Sequence, residues 1–271
     1  MRKPAGIALV VSDVDGTLVT TDKNLTPAAI AAVRRLGEAG IGFTVASSRP
    51  PVGLASLVDA LDLRLPMGAF NGSTVCGPDL GILSDVLIPE AAARAAVARF
   101  AAEGIDAWVF AGGAWHLRDP KAPYVDLERR TLRAEPKVTA DLAPLLTHAA
   151  KIVGVSRDHD RLAAIETSLA GDLGTRAAVH RSQAYYLDVT PPGTDKGGFV
   201  RDLGRRLGIP TERIATLGDA GNDVAMFRAS GLAIAMGNAD PTVREAAHAV
   251  TGDNDSDGFA QAIERLVLGA V

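Results

Sequence analysis

The sequence predicts an α/β fold, a doubly wound parallel sheet with a smaller α/β domain inserted into it. Three observations predict this. Apolar runs at residues 7–11, 43–46 and 214–217 each end in polar residues, as buried parallel strands do when loops leave their carboxyl ends. Helical stripes alternate with those runs, the pattern of a parallel sheet covered by helices. Between the two halves lies a segment of different texture. It holds Trp108, Trp115, all 3 tyrosines and four of the 5 histidines.

The elements follow in order. After the first run, Thr26-Pro27 makes a helix start, with Thr as N-cap and Pro in the first turn. Ile30, Val33 and Leu36 then form one apolar stripe, and Gly40 suits the C-terminal cap. The second run ends in Ser47-Ser48-Arg49. Pro78 and Pro191-Pro192 bracket the middle segment as rigid hinges. Within it, residues 89–102 and 161–169 read as helices, and 107–110, 152–155 and 185–189 as strands. Phe199, Leu203 and Leu207 resume the helical pattern and stop at Gly208. Strands at 214–217 and 232–234 follow, then a last helix bearing Ile263, Leu266 and Val267. The expected division is a core of residues 1–83 and 191–271 with an inserted domain at 84–190.

Composition excludes several classes of function. With 47% hydrophobic and 22% charged residues, the 271-residue chain is an ordinary globular sequence. A net charge of -4 leaves no electrostatic footprint for nucleic acid or a membrane surface. The 1 cysteine, Cys76, excludes an internal disulfide and a cysteine-based zinc site, and it reads as a plain buried or turn residue. Met1-Arg2-Lys3 has the charge of a signal-peptide start, but Ser12-Asp13 breaks the apolar run that follows. No stretch is long enough to span a bilayer. A cytoplasmic protein, monomeric or homodimeric, is expected.

Chemistry concentrates at Asp13-Val14-Asp15-Gly16-Thr17-Leu18. Two carboxylates about 4 Å apart repel by roughly 4 kcal/mol at an effective dielectric near 20, so the pair calls for a cation and for chemistry that uses it. The competing account is a polar turn, since Asp and Gly are common turn residues. Downstream stand Gly193-Thr194-Asp195-Lys196-Gly197-Gly198 and Gly218-Asp219-Ala220-Gly221-Asn222-Asp223. Asp13, Ser47, Lys196 and Asp219 all fall at expected strand ends or in a loop feeding a helix, where open α/β sheets bind ligands. An isolated serine after a strand, or an isolated lysine, would ordinarily be a cap or a solvated residue. Their order relative to the acidic pair reverses that reading.

With DVDGTL, a serine at a strand end, a lysine and GDAGND in that order, the sequence resembles the haloacid dehalogenase superfamily of phosphohydrolases. Asn71-Gly72 and Ala235-Met236-Gly237-Asn238-Ala239 resemble its Cof-like subgroup, whose Rossmann-like core carries an α/β cap. The resemblance implies that Asp13 is the nucleophile forming an aspartyl-phosphate. Asp15 would protonate the leaving oxygen and then activate water. A Mg²⁺ ion would be held by Asp13, Asp219 and the Asp15 carbonyl, with Asp223 steadying the site. Val14, Ser47, the Ser48 amide, Lys196 and Asn222 would bind phosphate or substrate, and Arg49 competes between that role and a surface ion pair. Ser48 stands where many relatives have Gly. The implied reaction is hydrolysis of a small phosphomonoester, a sugar phosphate first and a phosphorylated cofactor next. A phosphomutase on the same scaffold and a non-catalytic phosphometabolite-binding regulator are the alternatives. No G-x-G-x-x-G follows the first strand, which disfavours a nicotinamide-binding protein.

Asp253-Asn254-Asp255-Ser256-Asp257-Gly258, with Glu264 six residues on, matches EF-hand spacing. A helical stripe already begins after Gly258, with Asp257 placed to cap it, so calcium is not expected there. In the inserted domain His116, Arg118, Tyr124, His180 and Tyr186 are weak candidates for leaving-group contacts, and Trp108 and Trp115 read as packing.

Overall fold

The computed structural model describes residues 6–269. Met1, Arg2 and Lys3, which carry the signal-like charge, lie outside the described residues. In chain order the first elements are β1 (Leu9–Ser12), α1 (Pro27–Glu38), β2 (Gly42–Val45), α2 (Ala55–Leu61), β3 (Met67–Ala69) and β4 (Thr74–Cys76). Then come β5 (Ile82–Asp85), α3 (Glu90–Ala102), β6 (Asp106–Ala111), β7 (Ala114–Leu117), α4 (Val125–Leu132), β8 (Lys137–Val138), β9 (Ala149–Val155), α5 (His159–Leu173), β10 (Ala178–Gln183) and β11 (Tyr186–Thr190). The chain ends through α6 (Lys196–Leu207), β12 (Ile214–Gly218), α7 (Val224–Phe227), β13 (Leu232–Ala235), α8 (Pro241–Glu245), β14 (Ala249–Val250) and α9 (Gly258–Ala262).

Contacts divide the chain into two compact units. The first takes the chain up to Ser48, residues 55–79 and everything from Asp195 onward. The second takes residues 49–54 and 80–194.

In the first unit a five-stranded parallel sheet has the order β14-β13-β12-β1-β2. Leu9 pairs with Gly42 on one side and Ile214 on the other. Leu9, Val10 and Val11 are wholly buried, each such side chain contributing about 1.5–3 kcal/mol. Leu9 and Val11 pack with Phe199, Leu203, Met226, Phe227 and Val243 of α6, α7 and α8. Across the sheet, Phe43 meets Phe259 edge to face at 5.9 Å. Helices thus cover both faces, and the doubly wound α/β class stands. The expected caps form as well. The Thr26 hydroxyl accepts the Ala29 amide at 3.1 Å, and Gly40 and Gly208 take left-handed φ values of 71° and 65°.

Two details of this unit depart from expectation. The last helix holds for only 5 residues before a π turn over Ile263–Val267, closed by the Leu268 amide on the Ile263 carbonyl. Asp257 does not cap it by side chain. Its backbone is left-handed and its carboxylate accepts the Thr26 hydroxyl at 2.6 Å instead. Cys76 is buried on β4, where desolvation pushes its thiol up to about 11.

The second unit is built on a six-stranded sheet, order β10-β11-β9-β6-β7-β8. One face packs on α3 and α5 through Ala96, Phe100, Val109, Ile152, Leu162, Ile165 and Leu187. The expected helix over residues 161–169 starts earlier, where the Asp158 carboxylate caps it at the Arg161 amide, and runs on to the buried Leu173 before Gly174. Helix α4 and strands β7, β8 and β10 carried no signal in the sequence. Only Val125 and Leu132 of α4 are buried, and β10 is exposed along most of its length, so neither shows a readable stripe. Among the described residues no helix is long and apolar enough to cross a membrane.

Candidate active site

Asp13 directly follows β1, Asp219 directly follows β12 and Ser47 lies two residues beyond β2. These strands are neighbours in the sheet, so strand order alone collects three separate motifs at one edge. Lys196 opens α6, whose N-cap Asp195 accepts the Gly198 amide at 2.7 Å. That cap fixes the first turn and with it the origin of the lysine side chain.

Lys196 is 1% exposed, and its Nζ donates to Asp13 Oδ1 at 2.7 Å and Asp223 Oδ1 at 2.6 Å. The other Asp223 oxygen accepts the Asp219 and Ala220 amides, both at 2.9 Å. The spacing within GDAGND therefore makes a closed local turn. Gly218 belongs to that turn, since a Cβ there would sit 2.4 Å from the Asp223 side chain. Asp219 accepts the Thr17 hydroxyl at 2.9 Å and lies against Gly16, where a Cβ would approach its Oδ2 to 2.3 Å. Gly16 also has a φ of 81°. The Gly-Thr after the acidic pair thus gives Asp219 both space and a donor.

One carboxylate oxygen from each of Asp13, Asp219 and Asp223 lies within 4.8 Å of the others. Three carboxylates face one ammonium, and the electrostatics follow from that imbalance. Burial pushes the Asp13 carboxyl up to about 8; Lys196 pulls it down, while Asp223 and Asp219 push it further up. Asp219 is also raised, by burial first and Asp223 next, against the Thr17 hydrogen bond. Burial alone would lower Lys196, but Asp13 and Asp223 outweigh it and hold the ammonium above its usual range. The two directions agree: the lysine stays charged, and the surplus negative charge is relieved by a proton on an acid or by a cation. A hard divalent cation fits this all-oxygen set. Because both Asp223 oxygens are already engaged, Asp13 and Asp219 are the side chains with capacity to hold it.

The remaining sequence candidates spread outward. Asp15 is half-buried and pairs with Lys23 at 2.9 Å. The Val14 carbonyl accepts the amides of Thr17, Leu18 and Val19, which folds the chain tightly after Asp13. Ser47 is wholly buried and linked by backbone to Gly68 and Asn71. Ser48 is exposed. The Asn222 amide donates to Asn71 Oδ1 at 3.0 Å. Arg49 groups with the second unit, 7% exposed, and donates to the Gly53 carbonyl at 3.1 Å.

Sequence reasoning missed the groups that hold the loop after Asp15. The Asp255 carboxylate accepts both the amide and the hydroxyl of Thr21 at 2.8 Å, and Asn254 donates to the Val19 carbonyl at 3.1 Å. Asn238 donates to the Gly16 carbonyl at 2.9 Å. Of the acids in the EF-hand-like segment, Asp255 accepts from this loop, Asp257 accepts the Thr26 hydroxyl and Glu264 pairs with Arg35. Lys23 was missed too. Its left-handed φ of 63° at a turn was not legible in the sequence.

A family model described as haloacid dehalogenase-like hydrolase matches residues 10–263. The chain belongs to the haloacid dehalogenase-like hydrolases. It is 28% identical over 229 residues to an HMP-PP phosphatase of Cronobacter sakazakii, covering 84% of each chain. It is 27% identical over 265 residues to a pyridoxal phosphate phosphatase of Escherichia coli (strain K12), covering 94% of this chain and 97% of that one. Among solved structures, a haloacid dehalogenase-like hydrolase from Bacteroides thetaiotaomicron superposes with a TM-score of 0.90 at 28% identity, covering 96% of this chain and 99% of that one. Three of the four motif segments stand at the carboxyl ends of β1, β2 and β12, and the fourth, with Lys196, opens α6.

Proposed function

We propose that this hydrolase is a Mg²⁺-dependent phosphatase that cleaves small phosphomonoesters through a covalent intermediate on Asp13. The observation that carries the reading is the buried Lys196 ammonium between Asp13 and Asp223, with Asp219 converging on the same point. Such a cluster is costly in a resting fold, and it supplies the oxygen nucleophile and charge neutralisation that phosphoryl transfer depends on. The relatives support the class of substrate, since both named phosphatases act on small phosphorylated molecules.

In this reading Asp13 attacks phosphorus, and the bond from phosphorus to the leaving oxygen breaks as Asp15 gives that oxygen a proton. Water then attacks the aspartyl-phosphate, Asp15 takes its proton, and phosphate leaves with Asp13 restored. Splitting the displacement in this way replaces one hard step with two easier ones. Lys196 orients Asp13 through Oδ1 and neutralises charge on the transferring group. Asp223 holds Lys196 on one side and the Asp219 backbone on the other, while Ser47 and the Ser48 amide bind phosphoryl oxygens. Mg²⁺ on Asp13, Asp219 and the Asp15 carbonyl would screen the repulsion between the carboxylates and the incoming phosphate.

The test is hydrolysis of p-nitrophenyl phosphate with Mg²⁺ and with chelator, by wild type and Asp13→Asn. Turnover that needs the metal and falls by about a thousandfold or more in the variant is expected. Undiminished activity in Asp13→Asn would remove the nucleophile assignment.

A further inference from the structure

The turn that follows Asp15 is held more firmly than a surface loop requires. Within it the Thr20 amide donates to the Asn24 carbonyl at 3.0 Å and the Lys23 amide to the Thr20 carbonyl at 2.8 Å. The Asn24 amide donates to the Thr20 hydroxyl at 3.2 Å. From outside, the turn is tied at Gly16 by Asn238, at Val19 by Asn254 and at Thr21 by Asp255. Two of these ties brace each other, since the Asn254 amide donates to Asn238 Oδ1 at 3.1 Å.

Lys23 stands in this braced turn with a left-handed φ of 63°. A lysine is strained there, in a region where glycine and asparagine are the usual residues. A turn needed only to reverse the chain would be better served by either. What lysine supplies instead is an ammonium, 2.9 Å from Asp15 Oδ1. The lysine side chain is 41% exposed and that of Asp15 27%, and an ion pair so open to water adds little to stability. Stability therefore does not account for the strained backbone and the ion pair together. A demand on where the Asp15 carboxylate points accounts for both.

That demand arises in the second half of the reaction. Water attacks phosphorus, the bond to Asp13 breaks with its electron pair returning to the Asp13 carboxylate, and the water proton passes to Asp15. A general base is effective only when it is within hydrogen-bond reach of the proton it takes. We infer that Lys23 is a positioning residue for this step, its ammonium fixing the Asp15 carboxylate through Oδ1 as the base for water attack on the aspartyl-phosphate. The inference rests on the phosphatase reading, and it gives Lys23 a role exerted wholly through Asp15.

p-Nitrophenyl phosphate isolates this step, because p-nitrophenolate leaves without a proton and the phosphorylation of Asp13 then makes no demand on Asp15. With that substrate kcat/KM reports phosphorylation, whereas kcat includes hydrolysis of the phosphoenzyme. Wild type, Lys23→Met and Lys23→Asn are compared with Mg²⁺. The fraction of enzyme phosphorylated on Asp13 is measured by acid quench at substrate below the wild-type KM. Asparagine accepts the left-handed backbone and carries no charge, so it separates the turn from the ammonium. In both variants kcat should fall about tenfold and KM should fall with it. kcat/KM should stay within about twofold, and the phosphorylated fraction should rise. A wild-type kcat in both variants would make the pair a surface contact. A wild-type kcat in Lys23→Asn alone would assign the effect to the backbone. If kcat and kcat/KM fall together with no rise in phosphoenzyme, Lys23 is a structural part of the turn. Each of these overturns the inference and leaves the phosphatase reading standing. A wild type that hydrolyses nothing fails that reading, and the role of Lys23 falls with it.

Discussion

Each unit sets a lysine against a buried aspartate, and the two pairs differ in how completely the chain answers them. In the first unit Lys196 bridges Asp13 and Asp223, Thr17 serves Asp219, and two backbone amides serve Asp223. In the second, Lys151 meets one oxygen of Asp188 and leaves the other bare. The lesson is one of preorganisation. Groups that must react are held in place before the ligand arrives, and the second pair shows no comparable set of hydrogen bonds.

The sharpest way to break this contrast is to remove the first lysine. Lys196→Met leaves Asp13, Asp219 and Asp223 buried without a counter-charge. The variant should lose about 3–5 kcal/mol of stability in chelator and recover part of it when Mg²⁺ is added, as read by denaturant unfolding. A loss under about 1 kcal/mol would mean that the acids are neutral together and that the cluster is not preorganised around the lysine.

A middling effect is expected from pH. Folding raises Asp13 to about 8, against about 3.9 in an unfolded chain, so between those values the folded state holds a proton that the unfolded state has lost. Stability of the metal-free protein therefore falls as pH rises through that window, and Asp13→Asn should flatten the fall. Mg²⁺ binding near pH 7 should release about one proton, which calorimetry in buffers of different ionisation enthalpy would count. No proton release would contradict the raised Asp13 carboxyl.

The smallest effect belongs to the loop after Asp15. Asp255→Ala removes both Thr21 hydrogen bonds without touching the acid cluster. It should lower kcat/KM for p-nitrophenyl phosphate by less than about tenfold, through looser positioning of Asp15. A loss as deep as that of Asp13→Asn would show that this loop belongs to the reacting machinery itself.

The same contrast explains what was legible in the sequence. GDAGND could be read because its residues complete one another locally, with Asp223 closing on amides three and four residues back, and DVDGTL could be read from its close acidic pair followed by Gly-Thr. Lys196 was legible only by its order among the motifs, since nothing in its own neighbourhood distinguishes it from a solvated lysine. Thr21 and Asp255 are 234 positions apart, and no spacing signals such a pair. The polar face of the second sheet was invisible for a related reason. Asp188 and Trp108 share a face on either side of β9 by register alone, and with Asp106 and Trp115 they make four single residues on three strands, which leave no pattern in a linear sequence. Trp108 and Trp115 do pack together as expected.

The most direct test of the account is to quench the enzyme in acid during steady-state turnover of p-nitrophenyl phosphate and map phosphorylated peptides by mass spectrometry. The account predicts a phosphoryl group on Asp13, absent from Asp13→Asn and released on neutralisation with fresh Mg²⁺. A turning-over enzyme that shows no adduct, or one that carries it on Asp15 or Asp219, would contradict it.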